Sequence, residues 1–550
     1  MISRYLQQLT IRYFSKLWAI NLLKIPKTVA SLLLVFLFLP SGIQSQSANL
    51  PLDHWAYTFL ERLELKGLYV SEDFDTAPYS RQAIAEMILQ ITENIKQDST
   101  KISTVERDLL EQLKGEFHEN LHKIQPKVER RNKENERHLW SWRNEDFVGH
   151  LDLLLGQQVR VESKESVDSG IAKSITSWGF GFRVNFKESM AVFFEGRSFV
   201  LSGTDTIENR FFNPSLGLPV SRNALGDVTD NASGYAVFRL PWFDLEIGRD
   251  LVEWGPGFRG NLILSRNSNF YDLFKATFRY ERLKYEHFHG FLNAERTKYL
   301  AGHRIEVRPL DSFRFSINET VVYGGRSVEF LYANPFFPFI IAERHLGNKD
   351  NNLVSIDFTW FLRQRQLKFY GEFLFDDFNP RKNLFHDFVN KWGVLLGGYW
   401  VDPFGLSNTD FRLEYVRIQP FVYWHSLDEI NFYTNYNNFM GHWLGPDSDD
   451  FYVELKKRFH KNLRFGLSFE RRRRGQNDLS QIERPPDLKF DFLGGVVAKN
   501  SFYGATFEWQ ILRDMFLNAT YQFIQTDNLR RVAGQDQNNH RLLVNFSLNY

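Results

Sequence analysis

Leu542-Leu543-Val544-Asn545-Phe546-Ser547-Leu548-Asn549-Tyr550 ends the chain, and Leu542, Val544, Phe546, Leu548 and Tyr550 share one face if the segment is extended. Successive side chains of a strand point to opposite faces, so a repeat of two reads as β-structure. The same repeat recurs upstream. Trp178, Phe180, Phe182, Val184 and Phe186 alternate with Gly179, Gly181, Arg183 and Asn185. Leu463, Phe465, Leu467 and Phe469 alternate with Arg464, Gly466, Ser468 and Glu470, and Leu517, Ala519, Tyr521 and Phe523 with Asn518, Thr520 and Gln522. A soluble sandwich alternates too, but rarely sets large aromatics on so many outward faces with charges inside. The pattern predicts a mainly β protein, a transmembrane antiparallel β-barrel.

A closing strand that ends on an aromatic resembles the signal read by the barrel assembly machinery of the bacterial outer membrane, which makes that machinery an expected partner during biogenesis. The other end of the chain agrees. Arg4, Arg12, Lys16, Lys24 and Lys27 precede an apolar run from Val29 to Leu39, followed by Pro40 and small polar residues. That run is too short to span a bilayer and reads as an export signal, residues 1–47, with cleavage expected after Ser45 or Ser47. There is no cysteine, hence no disulfide, lipoprotein anchor or thiolate metal site.

Composition supports the barrel. With 53 Phe, 22 Tyr and 13 Trp the chain is 16% aromatic, yet its mean hydropathy is −0.37. Lipid-facing residues alternating with lumen-facing ones give this combination, whereas membrane helices need continuous apolar sequence. A net charge of +1 suggests no nucleic-acid partner.

Residues 48–145 read as a small helical domain, expected to be periplasmic, ahead of a barrel at 146–550. Trp55, Phe59 and Leu63 recur at helical spacing, and Ser80 precedes Ile84, Ile88, Ile91 and Ile95. Ser103 and Glu106 have capping-box spacing before Leu109 and Leu113. Beyond Phe147 the connections alternate in length. Long ones fall near 163–174, 204–232, 255–271, 326–350, 379–391, 425–449, 475–500 and 527–539. Tight turns fall at 187–189, 241–242, 309–311, 460–462 and 513–514. Outer-membrane barrels have short periplasmic turns and long outer loops, which gives about 18 strands with both ends on the short-turn side.

No catalytic motif or phosphate-binding glycine loop is present, and neither an enzymatic role nor a cofactor is expected. His287 and His289 share a strand face and read as lumenal hydrogen-bonding groups rather than metal ligands. Arg471–Arg474 reads as a cationic cluster for outer-membrane lipid phosphates and lipopolysaccharide, or for an acidic polysaccharide. Arg249, Asp250, Glu253 and Trp254 surround a Gly255-Pro256-Gly257 bend, followed by Arg259, Arg266 and Asn267. These seven are the candidate carbohydrate-binding or lumen-plug residues. Inward charges with a tryptophan suit sugar binding, and a structural plug of satisfied ion pairs suits them equally. Proline and glycine at 255–257 and at Pro335-Phe336-Phe337-Pro338 are expected to stiffen two loops that fold into the lumen.

Gly248-Arg249-Asp250, then Trp254-Gly255-Pro256-Gly257, then Leu262-Ile263-Leu264-Ser265-Arg266-Asn267 resembles the hallmark of the capsule assembly protein Wzi family. The layout of export signal, helical segment and barrel is similar too. The resemblance implies an outer-membrane, lectin-like, non-catalytic protein that holds surface polysaccharide, the competing reading being a porin or gated transporter. A fainter likeness joins Leu52-Asp53-His54-Trp55, Gly67-Leu68-Tyr69 and Ser80-Arg81-Gln82-Ala83 to a single surface-layer homology repeat, altered where such repeats usually carry Thr-Arg-Ala-Glu. It implies contact with a wall polymer.

Overall fold

The computed structural model describes residues 47–72, 75–125, 138–144, 146–164, 167–186, 190–203, 221–223, 226–239, 243–292, 297–379, 381–385, 390–425, 429–436, 438–477 and 490–549. Residues 1–46 of the expected export signal, and the turns expected at 187–189 and 241–242, lie outside them.

The strands form one closed antiparallel barrel. In chain order they are β1 Phe147–Lys164, β2 Val167–Phe186, β3 Met190–Gly203, β4 Gly226–Arg239, β5 Phe243–Asp250 and β6 Tyr271–Tyr280. They continue as β7 Leu283–Phe291, β8 Lys298–Leu310, β9 Phe313–Gly324, β10 Asn351–Leu362, β11 Leu367–Asp377 and β12 Lys391–Val401. The last six are β13 Thr409–Ile418, β14 Ser448–His460, β15 Leu463–Arg474, β16 Ala498–Leu512, β17 Met515–Asp527 and β18 Gln537–Asn549. Each pairs with its chain neighbour, and β18 closes on β1 with Leu548 opposite Leu155 and Val544 opposite Val159. Two shorter strands, Trp140–Arg143 and Ser221–Asn223, add to this set of 18 among the described residues.

The alternation falls as read. Leu542, Tyr521, Leu467, Phe465, Phe180 and Trp178 are exposed on the outer wall, while Asn518, Asn545 and Ser547 line the lumen. At the short-turn end Tyr280, Trp360, Phe404, Phe459 and Trp140 are exposed together, the aromatic girdle expected where a barrel meets lipid headgroups. Some connections are shorter than expected. The loop predicted at 163–174 is strand almost throughout, because β1 runs to Lys164 and β2 starts at Val167. β4 likewise begins at Gly226.

Among the described residues four α-helices precede the barrel: α1 Ala56–Leu65, α2 Arg81–Gln97, α3 Thr104–Glu116 and α4 His118–Ile124. The Ser80 hydroxyl accepts the Ala83 N–H. Ser103 and Glu106 form the capping box that the spacing predicts. Phe59, Leu63, Ile84, Ile88, Ile91, Leu109, Leu113 and Phe117 make their core.

The helices do not hang from the barrel on a tether; Ser45–Tyr550 is one compact unit. α1 enters the short-turn mouth with Glu61, Arg62 and Glu64 aimed at the wall. Glu61 pairs with Arg412 (2.5 Å) and with Lys368. Arg62 pairs with Glu106 (2.6 Å), Asp410 (2.7 Å) and Asp402, and Glu64 pairs with Arg314. Burial disfavours the charged form of Glu61, but Arg412 and Lys368 outweigh it and hold its pKa at about 2.

Candidate functional site: a plugged lumen and the cavity beside it

Beyond Asp250 the chain leaves the wall and folds into the lumen as far as Phe270. Gly255 takes a positive φ there, and a Cβ at this position would sit 2.6 Å from the Asn261 side-chain oxygen. Trp254 is wholly buried. Its indole N–H donates to Glu286 Oε1 (2.7 Å), and its ring meets Phe288 edge-on. Two wall carboxylates receive the backbone of this segment. The N–H groups of Leu262 and Ile263 donate to Glu372 (2.6 and 2.9 Å), and those of Phe258 and Arg259 to Glu414 (2.7 and 3.1 Å). An irregular segment in a lumen has no ladder partner for its donors, so the inward faces of β11 and β13 supply acceptors.

The loop between β13 and β14, expected as an outer connection at 425–449, also folds inward. Tyr423 and Tyr433 donate to the carbonyls of Leu262 (2.6 Å) and Ile263 (2.8 Å), and Trp443 donates to the carbonyl of Arg259 (2.9 Å). Leu262, Ile263 and Leu264 pack with Val422, Tyr423, Tyr433 and Met440 in the largest apolar cluster. Arg259 ties the ensemble to the wall through Asp450 (2.7 Å) and Glu470 (2.9 Å), with its guanidinium over the Tyr452 ring.

The N-terminal segment meets this plug from the other side. Thr76–Ala77 pairs antiparallel with Glu253–Trp254, the Gly255 N–H donates to the Asp75 carbonyl (3.1 Å), and Arg266 donates to the Leu52 carbonyl (2.8 Å). Two segments far apart in sequence thus join mid-lumen. Beside them remains a cavity of about 1170 Å³. Asp250, Glu253, Arg259, Arg266 and Asn267 all line it, opposite Arg183, Arg197, Asn231, Asn518 and Asn545. Burial pushes the Glu253 carboxyl up, opposed by Arg266. The Asn267 side-chain oxygen is buried without a protein partner.

Five of the seven candidate residues therefore share one cavity, and two do not. Arg249 points out of the barrel and pairs with Asp272 on the outer face of β6 (3.2 Å), because strand alternation puts Glu246 and Asp250 inward and Arg249 outward. Trp254 has no free face for a sugar and serves as the plug's anchor. Glu286, Glu372 and Glu414 were not singled out by sequence; their only signal is a carboxylate in the lumen phase of a strand.

Three further expectations are corrected. His287 and His289 lie on the outer wall, not in the lumen, in phase with Tyr285 and opposite in sense to inward Glu286 and Phe288. Pro335–Pro338 folds over that outer wall rather than inward. Arg471–Arg474 is no single cluster, since β15 continues through it: Arg472 pairs with Glu470 and stacks on Trp443 inside, and Arg473 pairs with Asp449 (2.5 Å) outside. Among the described residues no three His, Asp or Glu side chains are grouped to hold a metal.

The model of the capsule assembly protein Wzi family matches residues 226–541, more than half of the chain. The chain belongs to that family. Among solved structures it is similar to Wzi of Escherichia coli, described as an outer-membrane, carbohydrate-binding β-barrel involved in group 1 capsule assembly. The identity is 15% and the TM-score 0.60, over 92% of this chain and 100% of that one. It is more distantly similar to OccAB1 of Acinetobacter baumannii, at 10% identity and TM-score 0.44 over 73% and 96% of the two chains. OprD of Pseudomonas aeruginosa stands at 13% identity and TM-score 0.41 over 73% and 94%. Comparison with curated proteins gives no significant match. Family and fold together place the barrel in the bacterial outer membrane.

Proposed function

We propose that this protein holds surface polysaccharide at the outer membrane, as a lectin-like and non-catalytic barrel, with its helical segment on the periplasmic side. The observation that carries the reading is the plug folded across the lumen. A barrel of this size conducts unless loops fill it, and here segment 251–270 crosses it, held by Tyr423, Tyr433 and Trp443 on one side and by Asp75 to Ala77 and Leu52 on the other. What remains is a cavity lined by amides, guanidinium groups and carboxylates, the donors and acceptors that sugar hydroxyls need. Within it Arg266, Glu253 and Asn267 are the groups assigned to glycan contact. Arg259, locked between Asp450 and Glu470, is assigned to structure.

Two measurements test this. Purified protein in a planar bilayer should pass little ion current and should retain capsular glycan from its own host. In cells, replacing Arg266 and Glu253 by Ala and Gln should shed capsule into the medium while synthesis continues. A large steady conductance, with surface glycan unchanged in a deletion strain, would overturn the reading in favour of a porin.

A further inference from the structure

The connection between β9 and β10 lies neither in the lumen nor above the rim. It carries two short helices, α5 Phe330–Ala333 and α6 Phe339–Leu346, and returns down the outer wall over β7, β8 and β9. Tyr285 on β7 donates to the Pro335 carbonyl. Glu319, on the outward face of β9, accepts the N–H groups of Phe339 (3.0 Å) and Ile340 (2.6 Å) at the start of α6. The same carboxylate pairs with His303 of β8 (2.7 Å), whose ring stacks on Phe339. Ala301, Val321, Tyr323, Tyr332, Phe339 and Ala342 form a closed apolar cluster between hairpin and wall. Arg326 and Tyr332 both bind Asp350 and fasten the two ends of the hairpin.

The opposite face of this hairpin is apolar and open. Phe330 and Phe336 are 81% and 82% exposed, and Ile340 and Ile341 are exposed as well. They continue a surface whose partner is known. Ile305 and Ile317, exposed on the outer faces of β8 and β9, stand in register with Tyr285 directly beneath the hairpin. The wall underneath supplies the reason for the cover. His287, His289, His303 and Glu319 are polar groups on a face that would otherwise meet hydrocarbon, where such groups are unfavourable unless enclosed by protein. The exposed cations are at the other end. Arg344 and His345 close α6 and Lys349 follows, where the chain climbs back to the loop-side rim at Asn351. An apolar face with basic side chains at its headgroup end is the distribution of a helix that lies in a membrane interface.

We propose that the α5–α6 hairpin is a lipid-contacting flap. Phe330, Phe336, Ile340 and Ile341 insert among the acyl chains of the membrane that the barrel spans, while Arg344 and Lys349 reach the headgroup phosphates. The flap thereby seals a polar strip of the outer wall. This is independent of what the lumen binds.

The chain has no cysteine, so single-cysteine labelling needs no background substitutions. Full-length Phe336→Cys and Ile340→Cys, each carrying a nitroxide, would be placed in palmitoyl-oleoyl phosphatidylcholine vesicles. Electron paramagnetic resonance would then read collisions with oxygen, which partitions into acyl chains, and with a nickel chelate, which stays in water. Ile317→Cys gives the wall reference and Arg530→Cys the water reference. The expected oxygen-to-nickel ratio at 336 and 340 matches that at 317 and exceeds that at 530 several-fold. Nickel collision as frequent as at 530 would put the flap in water and overturn the proposal. Low collision with both reagents would also overturn it, because the face would then be covered by protein. Heat-modifiable migration checks folding, and Ile341→Cys reads the same face if one variant fails to assemble.

Discussion

Segments 251–270 and 326–350 are alike as sequence: each leaves a strand at the long-loop end, and each carries proline, glycine and several aromatics. One folds into the lumen and the other down the outer wall. The difference lies in the face on which the receiving carboxylate stands. Glu372 and Glu414 occupy inward positions of β11 and β13 and accept the backbone N–H groups of the plug. Glu319 occupies an outward position of β9, between inward Asn318 and Thr320, and accepts the N–H groups of the flap. Moving a carboxylate by one residue along a strand moves it through the wall. A loop's destination is therefore written in the strands that receive it as much as in the loop.

The largest effect should come from removing the inward acceptors. Glu372→Ala with Glu414→Ala strands the N–H groups of Leu262, Ile263, Phe258 and Arg259, at about 1–3 kcal/mol for each buried donor left unpaired. The plug should release, and planar-bilayer conductance should rise well above the wild-type level as the lumen opens. Glu319→Ala should leave conductance at the wild-type level. If Glu319→Ala opened the lumen as well, the two carboxylates would not be acting on separate faces, and the comparison would fail.

A smaller, local effect is expected for Glu319→Ala itself. It removes the acceptor for Phe339 and Ile340 and the partner of His303, at about 1–3 kcal/mol for each buried donor left unpaired, from a hairpin whose barrel is otherwise intact. Limited proteolysis of protein in vesicles should cut between 326 and 350 in this variant several times faster than in wild type, with heat-modifiable migration unchanged. Equal cleavage rates would mean that the apolar cluster under the hairpin holds it without the carboxylate.

How much of this was legible follows the same division. Strand phase was, because lipid outside and polar lumen inside impose a repeat of two on each strand; Trp178 to Phe186 and Leu542 to Leu548 could be read directly. The caps at Ser80 and Ser103 were, because their hydrogen bonds close within three residues. The site was legible only in part. Asp250, Glu253, Arg259, Arg266 and Asn267 share a cavity, as their spacing around the Gly-Pro-Gly bend suggested. Arg249 escapes because β5 keeps its alternation up to Asp250. The partners of the plug were not legible, since Leu262 and Glu372 are 110 residues apart and Arg62 and Asp410 are 348 apart. No local pattern encodes such a meeting.

The smallest effect should separate the helical segment from both loops by its response to acid. Glu61 on α1 is bound by Arg412 and Lys368 inside the mouth, and its pKa is pulled from the ordinary 4.5 to about 2 in spite of burial. A carboxylate whose folded pKa is depressed contributes stability that is fully present above the unfolded value and is lost as pH falls through the folded one. Docking of α1 should thus be constant from pH 7 to pH 5 and weaken only between about 4.5 and 2. Glu61 keeps 24% side-chain exposure, so solvent screening holds the contribution to about 1 kcal/mol. Hydrogen exchange at the amides of Leu60 to Leu65 would read it, with Glu61→Gln removing the dependence and leaving the flap unaffected. Weakening already between pH 7 and pH 5 would show that a contact other than the Glu61 pair with Arg412 and Lys368 governs the docking of α1.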